Sequence, residues 1–138
     1  MKELGKHLIV ELFNCSASKI NDLNHVEKVM IEAAVASNAT IVEHRFHKFA
    51  PHGISGVLII AESHFAIHTW PEYGYCAMDI FTCGDLTDNP AALKVIKEGL
   101  ECQYHSAIEM KRGLLNLPDD QIHHKPVILH QTTPQPVR

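Results

Sequence analysis

The chain has 138 residues, of which 46% are hydrophobic, and it carries a formal net charge of −4 at pH 7. These values are typical of one globular domain that can bury a core. The mild negative charge and the lack of a basic block argue against nucleic acid as a partner. No apolar run approaches the ~20 residues that span a bilayer, so we expect no membrane partner. Residues 1–13 include acids and no cleavage site of small residues, and we therefore expect a cytoplasmic protein without a signal peptide.

Four cysteines and eleven histidines are the candidate metal ligands. The cysteines form no C-x-x-C pair, and in a reducing compartment we expect free thiols: Cys15, Cys76, Cys83 and Cys102. Of these, Cys76 and Cys102 are interpreted as inert buried thiols. The histidines are scattered, and their best pair, His64 and His68, shares a strand face but lacks a third ligand. A histidine-rich metal-binding protein is an alternative that this spacing does not support, and we predict no metal site.

The first half of the chain predicts a strand, a helix and a second strand. Residues rich in β-formers at 7–13 predict the first strand. Apolar residues at helical spacing predict a helix over 22–37, with Asn24 and Glu27 as a capping box. Alternating residues over 40–49 predict the next strand, and the Pro-His-Gly sequence that follows predicts a turn.

The second half predicts three strands, a helix and a last strand. Two of the strands are short apolar runs, and the four strand segments are 57–61, 65–70, 75–83 and 104–111. The helix between the last two strands is expected to have Asn89 as its cap and Pro90 in its first position. It runs to about Glu101.

The resulting order, β-α-β-β-β-β-α-β, predicts an α+β fold. We expect a two-layer α/β sandwich in which a mostly antiparallel sheet carries two helices on one face. A single domain is expected over residues 1–115. From 116 to 138 the chain is polar and punctuated by prolines, and we expect this C-terminal tail to be mobile.

Glu62, Ser63 and His64 lie between the two apolar runs and are predicted to form the tip of a tight hairpin. A serine hydroxyl at a strained turn can attack the preceding carbonyl, with a histidine assisting the proton transfers. The resulting ester at Glu62–Ser63 would undergo elimination, which cuts the chain and leaves a dehydroalanine that hydrolyses to a pyruvoyl group. Residues five apart in a continuous strand point to opposite faces. We therefore expect the strand to bend or bulge between Ser63 and His68, so that both share one site.

Five segments of the chain form a recognisable set: GKHLIVELF, HKFAPHGISGVLIIAESH, HTWPEYGY, DIFTCGD and, more weakly, IEMKRG. Together they resemble the bacterial, short-chain form of S-adenosylmethionine decarboxylase. The likeness covers nearly the whole chain and fades in the tail, and its central block, Phe49 to Gly84, is long and specific. The resemblance implies a proenzyme that decarboxylates S-adenosylmethionine to the aminopropyl donor for spermidine synthesis.

The resemblance also implies how the chain processes itself. Self-cleavage would fall between Glu62 and Ser63, and Ser63 would become a pyruvoyl cofactor. His68 and Ser55 match residues that assist this processing. The pyruvoyl carbonyl would condense with the substrate amine, and the imine would act as the electron sink that pyridoxal phosphate supplies elsewhere. Neither a metal nor pyridoxal phosphate is implied.

Three further assignments follow from the resemblance. Cys83 matches the catalytic acid that reprotonates the α-carbon, a role for which a thiol with a tunable pKa is suited. Glu72 matches the carboxylate that holds the ribose hydroxyls, and Phe49 matches an aromatic residue that stacks on adenine. The face of that ring also suits the positive sulfonium. The family further implies a homodimer of cleaved protomers with its sites near the interface.

Two other functions stay open at this point. A pyruvoyl-dependent decarboxylase of the same fold that acts on ornithine or arginine would keep Ser63, His68 and Cys83. Such a small substrate needs neither Glu72 nor Phe49, which argues for the adenosyl compound. The other is a non-catalytic regulatory partner that never cleaves itself, and the presence of both Ser63 and His68 argues against it.

Overall fold

The computed structural model describes residues 2–123, and within them six strands form one sheet. The strands are β1 Gly5–Phe13, β2 Ile41–Lys48, β3 Ile54–Ile60, β4 Ser63–Trp70, β5 Tyr75–Cys83 and β6 Tyr104–Arg112. Their order across the sheet is β2-β3-β4-β5-β1-β6, and every pairing is antiparallel. The mostly antiparallel sheet predicted from the sequence is confirmed.

Three α-helices complete the part of the chain that the structure describes: α1 Ala17–Ile20, α2 Leu23–Ala36 and α3 Asn89–Gly99. Two 3₁₀ helices, Pro71–Tyr73 and Asp119–Gln121, lie in the connections. The α+β class and the predicted order of six strands and two long helices are confirmed, and α1 is an additional element. Its 4 residues form about one helical turn, which hydrophobic periodicity cannot reveal. Within residues 2–123, no helix has the length and apolar character needed to cross a bilayer.

The cap of α2 differs from the one predicted. Asp22 precedes the helix in an extended conformation, and its carboxylate accepts the backbone N–H of His25 at 3.1 Å. Asn24 lies inside the first turn, which excludes the predicted capping box with Glu27. An N-cap must lie outside the helix for its side chain to reach the free N–H groups of the first turn.

The cap of α3 is one residue earlier than predicted. Asp88 accepts the backbone N–H of Ala91 at 3.0 Å, so Asn89 is the first helical residue and Pro90 the second. The buried side chain of Asn89 instead accepts a hydrogen bond from the Thr82 hydroxyl at 3.0 Å. This bond anchors the start of α3 to the end of β5.

The core lies between one face of the sheet and the helices. On β5, alternate residues from Cys76 to Thr82 are buried, which is the period of two expected for a sheet covered on one side. Helices α2 and α3 cover that face with buried residues such as Met30 and Ile96. The uncovered side, which we call the open face, carries half-exposed apolar residues: Ile9, Ile59, Trp70 and Ile108. The predicted two-layer arrangement is confirmed.

Phe65 of β4 is fully buried in this core. Phe65→Ala is expected to lower the free energy of unfolding by about 3–5 kcal/mol, because it removes apolar contacts and leaves a cavity. Val35→Ala on α2 is the control, since Val35 is 64% exposed, and its effect should stay within about 0.5 kcal/mol. Urea denaturation measures both. A loss for Phe65→Ala no larger than that of the control would contradict the core described here.

The predicted tail falls only partly within the described residues. Residues 116–123 contain the 3₁₀ helix Asp119–Gln121, and Ile122 after it is 3% exposed. Residues 124–138 lie outside the described residues. The domain boundary at residue 115 stays a prediction.

Candidate active site

The turn between β3 and β4 consists of Ala61 and Glu62. Glu62 has a φ of 63°, in the left-handed region that residues with a side chain rarely adopt. Holding a non-glycine residue there costs roughly 1–3 kcal/mol, so the residue before Ser63 is strained. The predicted hairpin tip is therefore wrong in part, because Ser63 and His64 are the first residues of β4. A two-residue turn lets the chain rejoin the ladder at once.

Strand β4 is regular from Ser63 onward. Its pairing with β3 runs without a shift from Ile60–Ser63 to Ser55–His68, and its pairing with β5 is equally regular. The predicted bend or bulge between Ser63 and His68 is wrong, since the change of direction falls one residue earlier, at Glu62. Five strand residues place the Cα atoms of Ser63 and His68 about 17 Å apart. Within one chain, these two residues belong to different groups.

Ser63 forms a hydrogen-bonded group with Glu62 and Cys83, which we call the Ser63 cluster. The Ser63 hydroxyl donates to Sγ of Cys83 at 3.1 Å, and the Cys83 thiol donates to the backbone carbonyl oxygen of Glu62 at 3.4 Å. Opposite Cys83 in the sheet lies Gly5 of β1. A Cβ on Gly5 would lie 3.0 Å from Cys83 Sγ and 2.8 Å from the Thr82 carbonyl oxygen. A glycine there leaves the thiol the space to reach the Glu62–Ser63 peptide bond.

A cavity of about 420 Å³ lies beside the Ser63 cluster. Glu62 and Cys83 line it, together with the chain that follows β5, from Gly84 to Thr87. This volume is in the usual range for small-molecule sites. A small molecule therefore has room next to the Cys83 thiol.

Further titratable side chains lie on the open face next to the Ser63 cluster. His7 Nε2 is 2.9 Å from Asp79 Oδ1, and the His64 ring meets the His7 ring edge-on, with 6.1 Å between centroids. Burial, and next the nearby His7, lower the pKa of His64. The lowered pKa favours the neutral form of His64, and His7 and Asp79 lie within hydrogen-bonding distance of each other.

A second group, which we call the His68 cluster, lies at the other end of β3 and β4: Phe49, His52, Ser55, His68 and Glu72. Ser55 and His68 are directly opposite in the register, and Ser55 Oγ is 2.7 Å from His68 Nδ1. Strand β3 begins at Ile54, three residues before the predicted start at 57, so Ser55 is part of the ladder. The ladder thus holds the hydroxyl against the imidazole.

Turns place Glu72 and Phe49 beside this pair. The connection after β4 is the 3₁₀ helix Pro71–Tyr73, and its Glu72 carboxylate is hydrogen-bonded to Nε2 of His52. Phe49 follows β2, and its backbone N–H donates to the Gly53 carbonyl at 2.8 Å. Its side chain is 48% exposed, so the ring is available to stack on a flat ligand.

His52 is the residue of this group that sequence reasoning missed. Its position predicts only a turn, and the 20 positions that separate it from Glu72 match no helical or strand spacing. The register of β3 with β4 brings the turn before β3 next to the residue after β4. A histidine just before the first strand of a hairpin and a carboxylate just after its second strand are brought together by the antiparallel pairing. This pattern is a signal that could have identified the pair.

One chain therefore holds the predicted residues as two groups. Ser63 meets Cys83, and Ser55 meets His68, but about 17 Å of strand separates the groups. Within residues 2–123, no three or more His, Cys, Asp or Glu side chains are arranged to hold a metal ion. The chemistry available at the site is that of a hydroxyl, a thiol, an imidazole and a carboxylate.

Comparison with known proteins identifies the family. The family model described as S-adenosylmethionine decarboxylase matches residues 6–113. A relative from Pseudomonas paraeruginosa, named S-adenosylmethionine decarboxylase proenzyme, is 55% identical over 111 residues, which cover 80% of this chain and 69% of the relative. A relative of the same name from Thermodesulfovibrio yellowstonii is 47% identical over 125 residues, which cover 91% of this chain and 93% of the relative.

A solved structure has a similar fold. The crystal structure of the adenosylmethionine decarboxylase from Aquifex aeolicus aligns with a TM-score of 0.79 and 30% identity, covering 88% of this chain and 100% of that one. The residues matched by the family model include both the Ser63 cluster and the His68 cluster. The chain therefore belongs to the S-adenosylmethionine decarboxylase family and is a decarboxylase.

Proposed function

We propose that this decarboxylase makes its own cofactor by cutting its chain between Glu62 and Ser63, and that it then decarboxylates S-adenosylmethionine. The observation that carries the proposal is the hydrogen-bonded path from the Ser63 hydroxyl through Cys83 to the Glu62 carbonyl. Glu62 itself has a left-handed backbone conformation. The word proenzyme in the names of the relatives supports a processing step. The product would serve as aminopropyl donor in spermidine synthesis, and we expect the enzyme in the cytoplasm.

Ser63 supplies the nucleophile for the cut. Its Oγ attacks the carbonyl carbon of Glu62, the amide C–N bond breaks and an ester C–O bond forms. The Cys83 thiol donates to the carbonyl oxygen on which negative charge develops, and so stabilises that charge. Elimination then breaks the Cβ–O bond of Ser63 and releases Glu62 as a carboxylate. Hydrolysis of the remaining dehydroalanine releases ammonia and leaves the pyruvoyl group.

A pyruvoyl group fits the Ser63 cluster because it would form where the Ser63 side chain already lies against Cys83. When present, it supplies a sink for the electrons that stay behind as the substrate carboxylate leaves as CO₂. The Cys83 thiol holds a proton within hydrogen-bond distance of this position, so it can deliver that proton to the α-carbon of the substrate. The proposal needs neither a metal nor pyridoxal phosphate.

The His68 cluster supplies the groups that suit a nucleoside. A carboxylate such as Glu72 can accept hydrogen bonds from both ribose hydroxyls. The exposed ring of Phe49 can stack on adenine and attract the positive sulfonium, which adds ~0.5–2 kcal/mol. Ser55 and His68 form a hydroxyl–imidazole pair that can transfer protons during the cut.

A homodimer would bring the two clusters together. A two-fold axis between them would set the Ser63 cluster of one protomer beside the His68 cluster of its partner, across the ~17 Å that separates them in one chain. The half-exposed apolar residues of the open face are available for such a contact. In this arrangement His68 of the partner subunit assists the cut at Ser63, and Glu72 of the partner subunit holds the ribose.

The proposal is tested by measuring the masses of the chains and by comparing three substrates. Mass spectrometry under denaturing conditions should find two chains, residues 1–62 and 63–138, the second blocked by a pyruvoyl group. Release of CO₂ from carboxyl-labelled S-adenosylmethionine, ornithine and arginine should then be compared on the same preparation. We expect release from S-adenosylmethionine alone. A chain of 15.5 kDa that stays uncut, or turnover of ornithine or arginine in its place, would contradict the proposal.

His52 is expected to position Glu72 for the ribose. His52→Ala should raise KM for S-adenosylmethionine about 10-fold, because a hydrogen bond to a charged group is lost, while kcat changes less than about twofold. The matched control is His44→Ala, since His44 forms another exposed pair, with Glu27, outside both clusters. Steady-state kinetics measure both variants. An unchanged KM in His52→Ala would show that Glu72 needs no partner.

A further inference from the structure

The Sγ atoms of Cys15 and Cys102 lie 2.7 Å apart, although 87 positions separate the two residues in the chain. This distance is only about 0.7 Å longer than a disulfide bond. All four cysteines are free, as predicted from the sequence. Cys76 is buried as predicted, whereas Cys102 is partly exposed, so the prediction that Cys102 is buried is wrong.

Two backbone hydrogen bonds hold the segments together on either side of this pair. The N–H of Ser16 donates to the Leu100 carbonyl at 3.1 Å, and the N–H of Gln103 donates to the Phe13 carbonyl at 3.1 Å. These hydrogen bonds hold the backbone in place on both sides of the two cysteines, and a bond between the cysteines requires only a small movement of the two sulfurs.

Cys102 also lines a cavity of about 490 Å³ beside α3, which gives a reagent access to its sulfur. Lys94 and Lys97 line the same cavity. Glu98 and Glu101 line it as well, so the cavity presents both signs of charge. This suits a small disulfide that carries both carboxylates and ammonium groups, such as glutathione disulfide. Cys15 is nearly inaccessible, at 7% exposure, so a reagent meets Cys102 first.

The neighbours of Cys15 suit it to the second step of an exchange. Hydrogen bonds from Cys102 and Cys76 lower the pKa of the Cys15 thiol well below its usual value. The pKa of Cys102 is raised, mainly by its hydrogen bond to Cys15. A thiolate is the nucleophile in thiol–disulfide exchange. The Cys15 thiolate can therefore take the proton of Cys102 in the first step, and its sulfur, 2.7 Å from that of Cys102, is placed to attack Cys102 in the second.

We propose that Cys15 and Cys102 are a redox-active pair that forms a reversible disulfide and thereby links the two halves of the cut enzyme. Cys15 belongs to residues 1–62 and Cys102 to residues 63–138. The link between two separate chains rests on the proposed function, whereas the disulfide itself does not.

The exchange with glutathione disulfide balances in two steps. The sulfur of Cys102 passes its proton to the Cys15 thiolate, 2.7 Å away, and attacks one sulfur of glutathione disulfide, so that the first glutathione leaves as a thiolate. The first glutathione thiolate takes that proton from Cys15, the Cys15 thiolate attacks Sγ of Cys102, and the second glutathione leaves as a thiolate. Two protein thiols are oxidised to one disulfide, and one glutathione disulfide is reduced to two thiols.

The test is a mass measurement without reductant. Purified enzyme is incubated with glutathione disulfide, its remaining thiols are blocked with N-ethylmaleimide, and it is analysed under denaturing conditions. We expect one species with the summed mass of the two chains less two hydrogens, which a reductant separates. Peptide mapping of the same sample should find Cys15 joined to Cys102. Two unlinked chains, or a link that involves Cys76, would overturn the proposal.

Variants separate this proposal from the proposed cleavage. Cys15→Ser and Cys102→Ser should remain two unlinked chains, whereas Cys76→Ala should still form the link. In Ser63→Ala, which should stay uncut, the same disulfide should appear as a single chain that is two hydrogens lighter. If the wild-type chain is uncut but contains the 15–102 bond, the cleavage is refuted and the disulfide stands. Linked chains in Cys15→Ser would refute the pair.

Discussion

Ser63→Ala is expected to leave one uncut chain of 15.5 kDa and to reduce release of CO₂ from S-adenosylmethionine by about 10⁴-fold or more. The variant removes the hydroxyl that attacks the Glu62 carbonyl, and with it the only precursor of the pyruvoyl group in the proposal. The Cys83 thiol remains in place, so a missing proton donor is not the cause of the loss. Denaturing mass spectrometry and the CO₂ assay give the two readouts.

Ser18→Ala is the matched control for this variant. Ser18 is exposed on α1, and its hydroxyl contacts only the hydroxyl of Ser16, at 3.2 Å, among the hydrogen bonds of the described residues. Its cleavage and activity should equal those of the wild type. A Ser63→Ala chain that is still cut between residues 62 and 63, or that keeps its activity, would refute the role of Ser63.

Ser63→Ala and His68→Ala are each expected to be inactive alone and to restore activity when the two chains are co-expressed. If each site combines the Ser63 cluster of one protomer with the His68 cluster of its partner, a mixed dimer has one site with both residues intact. Random pairing makes half of the dimers mixed, so about a quarter of wild-type activity should return. The cut chains should all carry the His68→Ala substitution, because only they keep Ser63.

The control for this experiment pairs Ser63→Ala with Cys83→Ala. Both substitutions fall in the Ser63 cluster, so a mixed dimer contains no complete cluster and no activity should return. Two different affinity tags on the chains verify that mixed dimers form. No activity in a verified Ser63→Ala and His68→Ala dimer would refute the shared site, as would equal rescue in the control pair.

The fold could be predicted because its core is one-sided. On strand β5, fully buried residues alternate with partly buried ones, and a period of two is visible in the sequence. Cap positions were harder to predict, because Asp22 and Asn24 are both good capping residues. Only the backbone conformation at these positions shows which of them precedes the helix. Glu62 shows the same limit, since no propensity predicts a left-handed glutamate at a turn.

The arrangement of the site could be predicted only in part. Ser63 and Cys83 are neighbours through the β4–β5 pairing, and Ser55 and His68 through the β3–β4 pairing, and neither register is visible in the sequence. The predicted bend assumed that Ser63 and His68 act within one chain. The regular pairing of β4 contradicts that assumption, because it keeps Ser63 and His68 apart within one chain. Such a separation suits a site that two chains share.

Strand β1 lies between β5 and β6 in the sheet. A cut after Glu62 would leave β1, β2 and β3 on one fragment and β4, β5 and β6 on the other. The fragments would be interleaved, because β3 pairs with β4 while β1 is inserted between two strands of the opposite fragment. Separating them would require three ladders to open at once, so the two pieces of a cut enzyme would part only when the whole domain unfolds.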